Sequence, residues 1–213
     1  MHQITLVRSD RNRRTLRAWR SALKYLQHKR LAAVIKEVEQ LSPPKNIDQF
    51  LSEYAWMVWV SGFSEETIER KWPSLKKTFR GFRANQILEK SQEDPGYFLR
   101  VSPVKNKRKI AAIVQTARML KKHGLDYFID PFPNLLLLPW VKATNRRFLL
   151  RNMGLADVAK DDIWLKRLAK DLGYGGGSAA VEEMVDTIHQ KTRYKRGVID
   201  VVLWRAMQKG WRN

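Results

Sequence analysis

The side chains with chemistry to offer are gathered between Leu135 and Gly173, where the chain reads LLLLPWVKATNRRFLLRNMGLADVAKDDIWLKRLAKDLG. Asp161 and Asp162 stand side by side immediately before an apolar-periodic run, where a carboxylate caps a helix by accepting its first backbone N–H groups. Capping and stabilising a developing positive charge are not exclusive tasks for such a group. Upstream, Trp140 and Lys142 lie on a tight turn at Pro139–Lys142, and Thr144, Asn145, Arg146 and Arg147 open a basic helix. A basic helix reached through a tight turn, with a carboxylate at the next helix start, suits gripping a phosphate and working on the sugar attached to it. A helix cap plus an ordinary solvated face accounts for the same residues, and both readings stand at this point.

The elements that must position these groups follow from apolar spacing. Leu135–Leu138 is too short to be a stable isolated helix and must be held by neighbours. From Thr144 the pattern is helical, with Phe148, Leu149 and Met153 on one face and Gly154 suited to a left-handed C-terminal cap. The helix after Asp162 has Ile163, Leu165, Leu168 and Leu172 as its expected buried side and ends at Gly173.

Before this stretch, Arg11 to Leu41 reads as one long helix, its apolar stripe made by Leu16, Trp19, Leu23, Leu26, Val34, Ile35 and Val38. Residues 1–40 hold ten Lys/Arg against three acids, so this helix is either a DNA flank or a solvated face. Pro43-Pro44 break it. Asn46 or Asp48 starts the next helix, with Ile47, Phe50, Leu51, Tyr54 and Val58 inward and Trp56 and Trp59 adding bulk. Ser61-Gly62-Phe63 is a turn, Ser64 an N-cap, and Lys71-Trp72-Pro73 the restart of a short helix. Arg100 to Leu125 carries eight Lys/Arg and no acid, with Lys105, Lys107, Arg108 and Lys109 as an electrostatic footprint before or at the start of a helix that Gly124 ends. Asp130-Pro131 and Pro133 kink the chain into the central stretch. Gly175-Gly176-Gly177 reads as a linker, since it follows a helix and lacks the Lys-Ser/Thr of a phosphate loop. Ser178 caps a helix through His189, and Gly197 to Lys209 forms the last. No strand alternation and no internal repeat is apparent.

The totals narrow the partners. A formal charge of +20 with a pI near 10.4 favours a polyanion, because neutralised phosphates release counterions. RNA-binding and ribosome-associated proteins share this balance. No long apolar segment and no signal peptide is seen, so a membrane is not the expected partner. The absence of cysteine excludes disulfides, thiolate metal sites and cysteine nucleophiles. His2, His28, His123 and His189 show no metal-ligand spacing, so neither metal nor cofactor is expected.

The frame Leu138-Pro139-Trp140-Val141-Lys142, then Gly154, Asp162, Arg167 and Leu172-Gly173, resembles the helix-hairpin-helix core of the DNA glycosylase superfamily, which includes endonuclease III and the adenine-mismatch and alkylpurine glycosylases. About forty residues take part in the resemblance. It implies an all-α, two-lobed helical bundle with a central helix-hairpin-helix motif, residues 46–134 forming a six-helix-type lobe on the base-pocket side and 1–45 plus 135–213 the second lobe, within one enzyme unit. It further implies double-stranded DNA as partner, a monomer, and a cytoplasmic, DNA-associated location. Asp162 falls on the family's catalytic aspartate. Lys142, Thr144, Asn145, Arg146, Arg147 and Trp140 fall on DNA-binding positions, and Trp56, Trp59 and Phe63 on the base-pocket side.

The family's task requires a base to leave the stack, at a cost of roughly a few kcal/mol, before the bond to its sugar can be cleaved. Two departures bear on how. Trp140 and Lys142 replace the two hairpin glycines, and Thr144 stands where lyase-active relatives carry a nucleophilic lysine, which implies a water-dependent, monofunctional reaction. Three functions stay open: a DNA glycosylase removing a modified or damaged base, a base-modifying transferase like the phage enzymes that hypermodify pyrimidines, and a non-catalytic DNA-binding protein.

Overall fold

A computed structural model describes residues 2–28 and 33–212 of the chain, with side chains from residue 9 onward. The expected all-α class holds: among the described residues there are helices and turns and no strand. In chain order the helices are α1 (His2–His28), α2 (Ala33–Glu39), α3 (Ile47–Val60), α4 (Glu65–Thr78), α5 (Ala84–Glu93) and α6 (Tyr97–Val101). There follow α7 (Lys107–His123), α8 (Asp126–Ile129), α9 (Ala143–Asn152), α10 (Ile163–Asp171), α11 (Ser178–Thr192) and α12 (Arg196–Gln208). No helix among the described residues is long and apolar enough to cross a membrane.

Contacts divide the chain into two compact units, Met1–Ser42 with Leu150–Asn213, and Pro43–Leu149. The first is built around α12. Its run Gly197–Leu203 is buried on every side, Asp200 included, and it touches α1, α2, α10 and α11. Ala18, Trp19, Ala22 and Leu26 form the buried stripe of α1. Leu165, Leu168 and Leu172 bury the inner side of α10, as their spacing predicts, but Ile163 is 58% exposed. At about 100° per residue it lies on the opposite side of α10 from Leu165, Leu168 and Leu172, so the side that buries them turns it to solvent.

In the second unit, α3 buries Phe50, Leu51, Tyr54, Val58 and Trp59 and packs on α7, which contributes Ile113, Ala117 and Leu120. Asn46 caps α3, its side chain accepting from the Gln49 amide at 2.9 Å, while Asp48 accepts from the amide of Ala84 at 2.9 Å instead. Ser64 caps α4.

Several expectations change. Of the helix expected from Arg11 to Leu41, α1 (which begins at His2) and α2 (which ends at Glu39) are described, and the stretch 29–32 between them lies outside the described residues. Pro73 does not restart a helix but lies inside α4, exposed, where it deprives the helix of one backbone bond without ending it. Ser178 is not the cap of α11, because its hydroxyl donates to Asp161; Gly177 takes the cap position. Residues 135–149 belong to the same unit as 46–134, not to the other lobe, held there by the burial of Leu135 and Leu138 and by the bond from Tyr54 to the Pro139 carbonyl.

The turn after α9 places the carboxylate loop. Gly154 has φ +60°, Leu155 N–H donates to the Leu150 carbonyl at 2.9 Å and Gly154 N–H to that of Arg151 at 3.0 Å, the Schellman closure expected at this glycine. A Cβ at Gly154 would lie 2.8 Å from the backbone of Leu41 and Ser42, so space excludes any side chain and the left-handed φ would add strain.

Candidate functional site

The turn at Pro139–Lys142 takes a course that glycine follows freely, with Trp140 at its left-handed position. Val141 N–H donates to the Leu138 carbonyl at 3.2 Å, with Pro139 second and Trp140 third in a turn of type II form. Trp140 has φ +69°, the conformation glycine adopts freely and other residues adopt at a cost of about 1–2 kcal/mol. Three contacts hold it there. Tyr54 Oη donates to the Pro139 carbonyl, Asn145 Nδ2 donates to the Trp140 carbonyl at 3.0 Å, and the Trp140 ring lies 5.4 Å from Lys109 Nζ. Burial pushes the Tyr54 phenol well above its usual range, opposed only in part by Thr116, so it remains a donor. Asn145 therefore braces the turn.

Lys109, expected within an exposed basic footprint, is only 2% exposed. Its Nζ donates to the carbonyls of Val58 (2.6 Å), Trp59 (3.0 Å) and Ser61, closing the C-terminal end of α3, where unpaired carbonyls and the helix dipole favour a cation. Phe63, Trp140 and Trp59 surround the ammonium at 4.8, 5.4 and 6.0 Å from their ring centroids, within cation–π range. Two of the three expected base-pocket residues thus converge with the hairpin tryptophan on one lysine. Trp59 is fully buried and Phe63 is 39% exposed, so of those two only Phe63 offers open ring surface. Trp56 joins a different aromatic group, meeting Trp72 edge-on at 5.0 Å. Lys142 is exposed, and Thr144, Arg146 and Arg147 are half-buried along the first turns of α9.

Burial lowers Lys109 to about 8. The sign follows from linkage: between about 8 and the unfolded value of 10.5 the unfolded chain binds more protons, so stability rises with pH in that window. Lys109→Met is expected to remove that rise while lowering stability at pH 7, measured as urea midpoints of both proteins from pH 7 to 10. A variant whose midpoint climbs in parallel with the parent would contradict it.

Asp162 belongs to the first unit and the hairpin residues to the second. Asp162 is the N-cap of α10, its Oδ1 accepting from the amides of Trp164 (2.9 Å) and Leu165 (3.2 Å). Its Oδ2 meets Lys160 Nζ at 3.8 Å, beyond hydrogen-bond length, and its side chain keeps 12% exposure. Asp161 is the more buried of the pair, with Oδ2 accepting from Ser178 and lying 3.4 Å from Lys166 Nζ. The bond to Ser178 ties the start of α10 to the start of α11. Arg167 is exposed, 5.8 Å from the Trp164 ring.

Beneath this loop lies a carboxylate that sequence reasoning passed over. Asp200, 1% exposed on α12, accepts from Arg151 and from the Lys160 amide at 2.7 Å. Burial raises its pKa, Arg151 and the Lys160 amide oppose that, and the Asp162 charge adds to it. One turn earlier, the Gly197 amide donates to Asp157 at 3.0 Å. The first half of α12 therefore holds the α9–α10 loop at two points, two and five residues before Asp162. A signal for both missed groups was present: Asp200 interrupts an apolar run, VIDVV, and Lys109 falls in phase with Ile113, Thr116 and Leu120. Comparison of the chain with protein-family models, with curated proteins and with solved structures gives no match.

Proposed function

We propose that the protein acts on duplex DNA, extruding a modified or damaged base and hydrolysing the bond between that base and its sugar. The observation that carries the reading is the division of labour within Asp162: one oxygen is held by two backbone amides, while the other accepts no hydrogen bond among the described residues and faces Lys160 at 3.8 Å, which keeps the carboxylate still yet leaves that oxygen able to stabilise positive charge developing on a deoxyribose. As the carbon–nitrogen bond breaks, electrons leave with the base. A water oxygen then bonds to the sugar carbon and gives its proton to Asp162. Asp161 is the weaker candidate, being buried and engaged by Ser178 and Lys166.

The charge of +20, the glycine-like course of the turn at Trp140, and the cations Lys142, Arg146 and Arg147 support a phosphate-gripping role for the hairpin. Thr144 offers no nucleophilic amine where lyase-active relatives carry a lysine, and Lys142 lies two residues earlier on the turn in a phosphate-gripping role, so the reading is a water-dependent reaction without an enzyme–sugar adduct. A non-catalytic DNA clamp is the second reading, favoured by the fact that capping α10 accounts for the place of Asp162 without any chemistry.

Incubation with a panel of duplexes carrying different modified bases tests this, with mass analysis of the nucleosides. The expected result is free base and strand breaks that appear only after alkali. An added group on a base that stays attached would point to transfer instead. A borohydride-trappable adduct would refute the monofunctional reaction, and no change to any nucleoside would leave only the clamp.

A further inference from the structure

We infer that the exposed face of α1, extended by the end of α12, is a second contact for duplex DNA, made to its phosphate backbone. It rests on DNA being the partner in the reading above, and not on base release. From Arg11 to His28, α1 carries six Lys/Arg and no acid. Arg17, Arg20 and Lys24 are turned outward and, at spacings of three and four, share one narrow arc opposite the buried Ala22 and Leu26. No acid lies within ion-pair distance of these three among the described residues, whereas Arg13 in the same arc meets Asp10 at 3.8 Å. Like charges at these spacings weaken a helix, and a face serving only solubility gains by mixing signs. Such a stripe points to an anion outside the chain.

A second element joins it. Trp211 Nε1 donates to Ser21 Oγ at 3.1 Å and Tyr25 Oη donates to the Lys209 carbonyl at 2.6 Å, so the end of α12 is fastened along the edge of the stripe. Lys209 and Arg212 are exposed there, also without an acid partner among the described residues. Arg17 to Lys24 spans about 10 Å at ~1.5 Å per residue, or roughly three phosphates of one strand at ~3.4 Å each. A lipid surface fits less well: a helix lying on a membrane inserts its apolar face, and the apolar face of α1, with Trp19 and Leu26, is committed to the core.

The test uses the full chain carrying Arg17→Gln, Arg20→Gln and Lys24→Gln together, outward-facing positions where the melting temperature should not fall. Binding to an unmodified duplex is followed by fluorescence anisotropy across a salt series. The slope of log K against log salt should shrink by about 2–3, at ~0.9 for each phosphate no longer neutralised. Replacing Lys36, Lys170 and Lys191 by Gln, exposed cations of other helices, should change it far less. Equal slopes in parent and triple variant, equal losses in both cation sets, or a parent that binds phosphatidylserine vesicles or single-stranded RNA but not the duplex would each overturn the inference. A reduced slope together with no base release would uphold it while the enzymatic reading fails.

Discussion

Under the proposed glycosylase reaction, replacing Asp162 by Asn is expected to slow base release at least about a hundredfold, in line with the ~2.7–4 kcal/mol typical of losing one group that stabilises transition-state charge. Duplex affinity and thermal stability should hardly move. The asymmetry arises because Asn keeps an oxygen for the Trp164 and Leu165 amides and is as good an N-cap as Asp, so the helix start survives while the negative charge is lost. Asp162→Ala separates the two roles from the other side: it should cost about 1 kcal/mol of stability in addition to the activity. Single-turnover release of base, measured beside thermal melts of all three proteins, reads both effects. An Asn variant that releases base at the parent rate would remove Asp162 from the reaction and return it to capping alone.

The largest loss of stability is expected from Arg151→Ala, about 3–5 kcal/mol, because it leaves a carboxylate in the interior with its cation gone. Arg151 and Asp200 have side chains only 10% and 1% exposed, and Asp200 also holds the Lys160 amide, so the α9–α10 loop should loosen with it. The deficit should depend on pH in a definite sense. Without Arg151 the carboxyl of Asp200 is held still further above its usual value by burial. The contribution of such a group is present below its unfolded value of 3.8 and is lost as pH rises through the raised folded value. The gap between parent and variant should therefore be smallest near pH 4 and widen toward neutrality. Replacing both partners together, Arg151→Met with Asp200→Leu, should recover much of the loss, since an apolar pair needs no compensation. Denaturant midpoints across pH check all of this; a gap that narrows toward neutrality would show that the pair is not the source.

The structure also shows why some residues were legible from the chain and others were not. Helix starts and stops are local: Asn46, Ser64 and Asp162 cap through amides two or three residues on, and Gly154 and Gly173 end helices through bonds to carbonyls three to five residues back. Their chemistry lies within a few residues of sequence, so spacing alone finds them. Ser178 misled for the opposite reason, its hydroxyl being drawn to Asp161 seventeen residues away.

By itself, the sequence determined the all-helical class, the burial of Trp19 and Leu26 in α1, of Phe50, Leu51, Tyr54 and Val58 in α3 and of Leu165, Leu168 and Leu172 in α10, the excess of positive charge and the position of Asp162 at a helix start. Tertiary structure alone decided that Lys109 is an interior cap for α3 and not a surface cation, that Trp59, Phe63 and Trp140 meet around it, and that Asp200 with Arg151 holds the loop before Asp162. The physical reason is the range of the forces involved. Periodicity and capping report on neighbours along one helix, whereas the burial of a charge depends on carbonyls and counter-charges supplied by segments some fifty residues away.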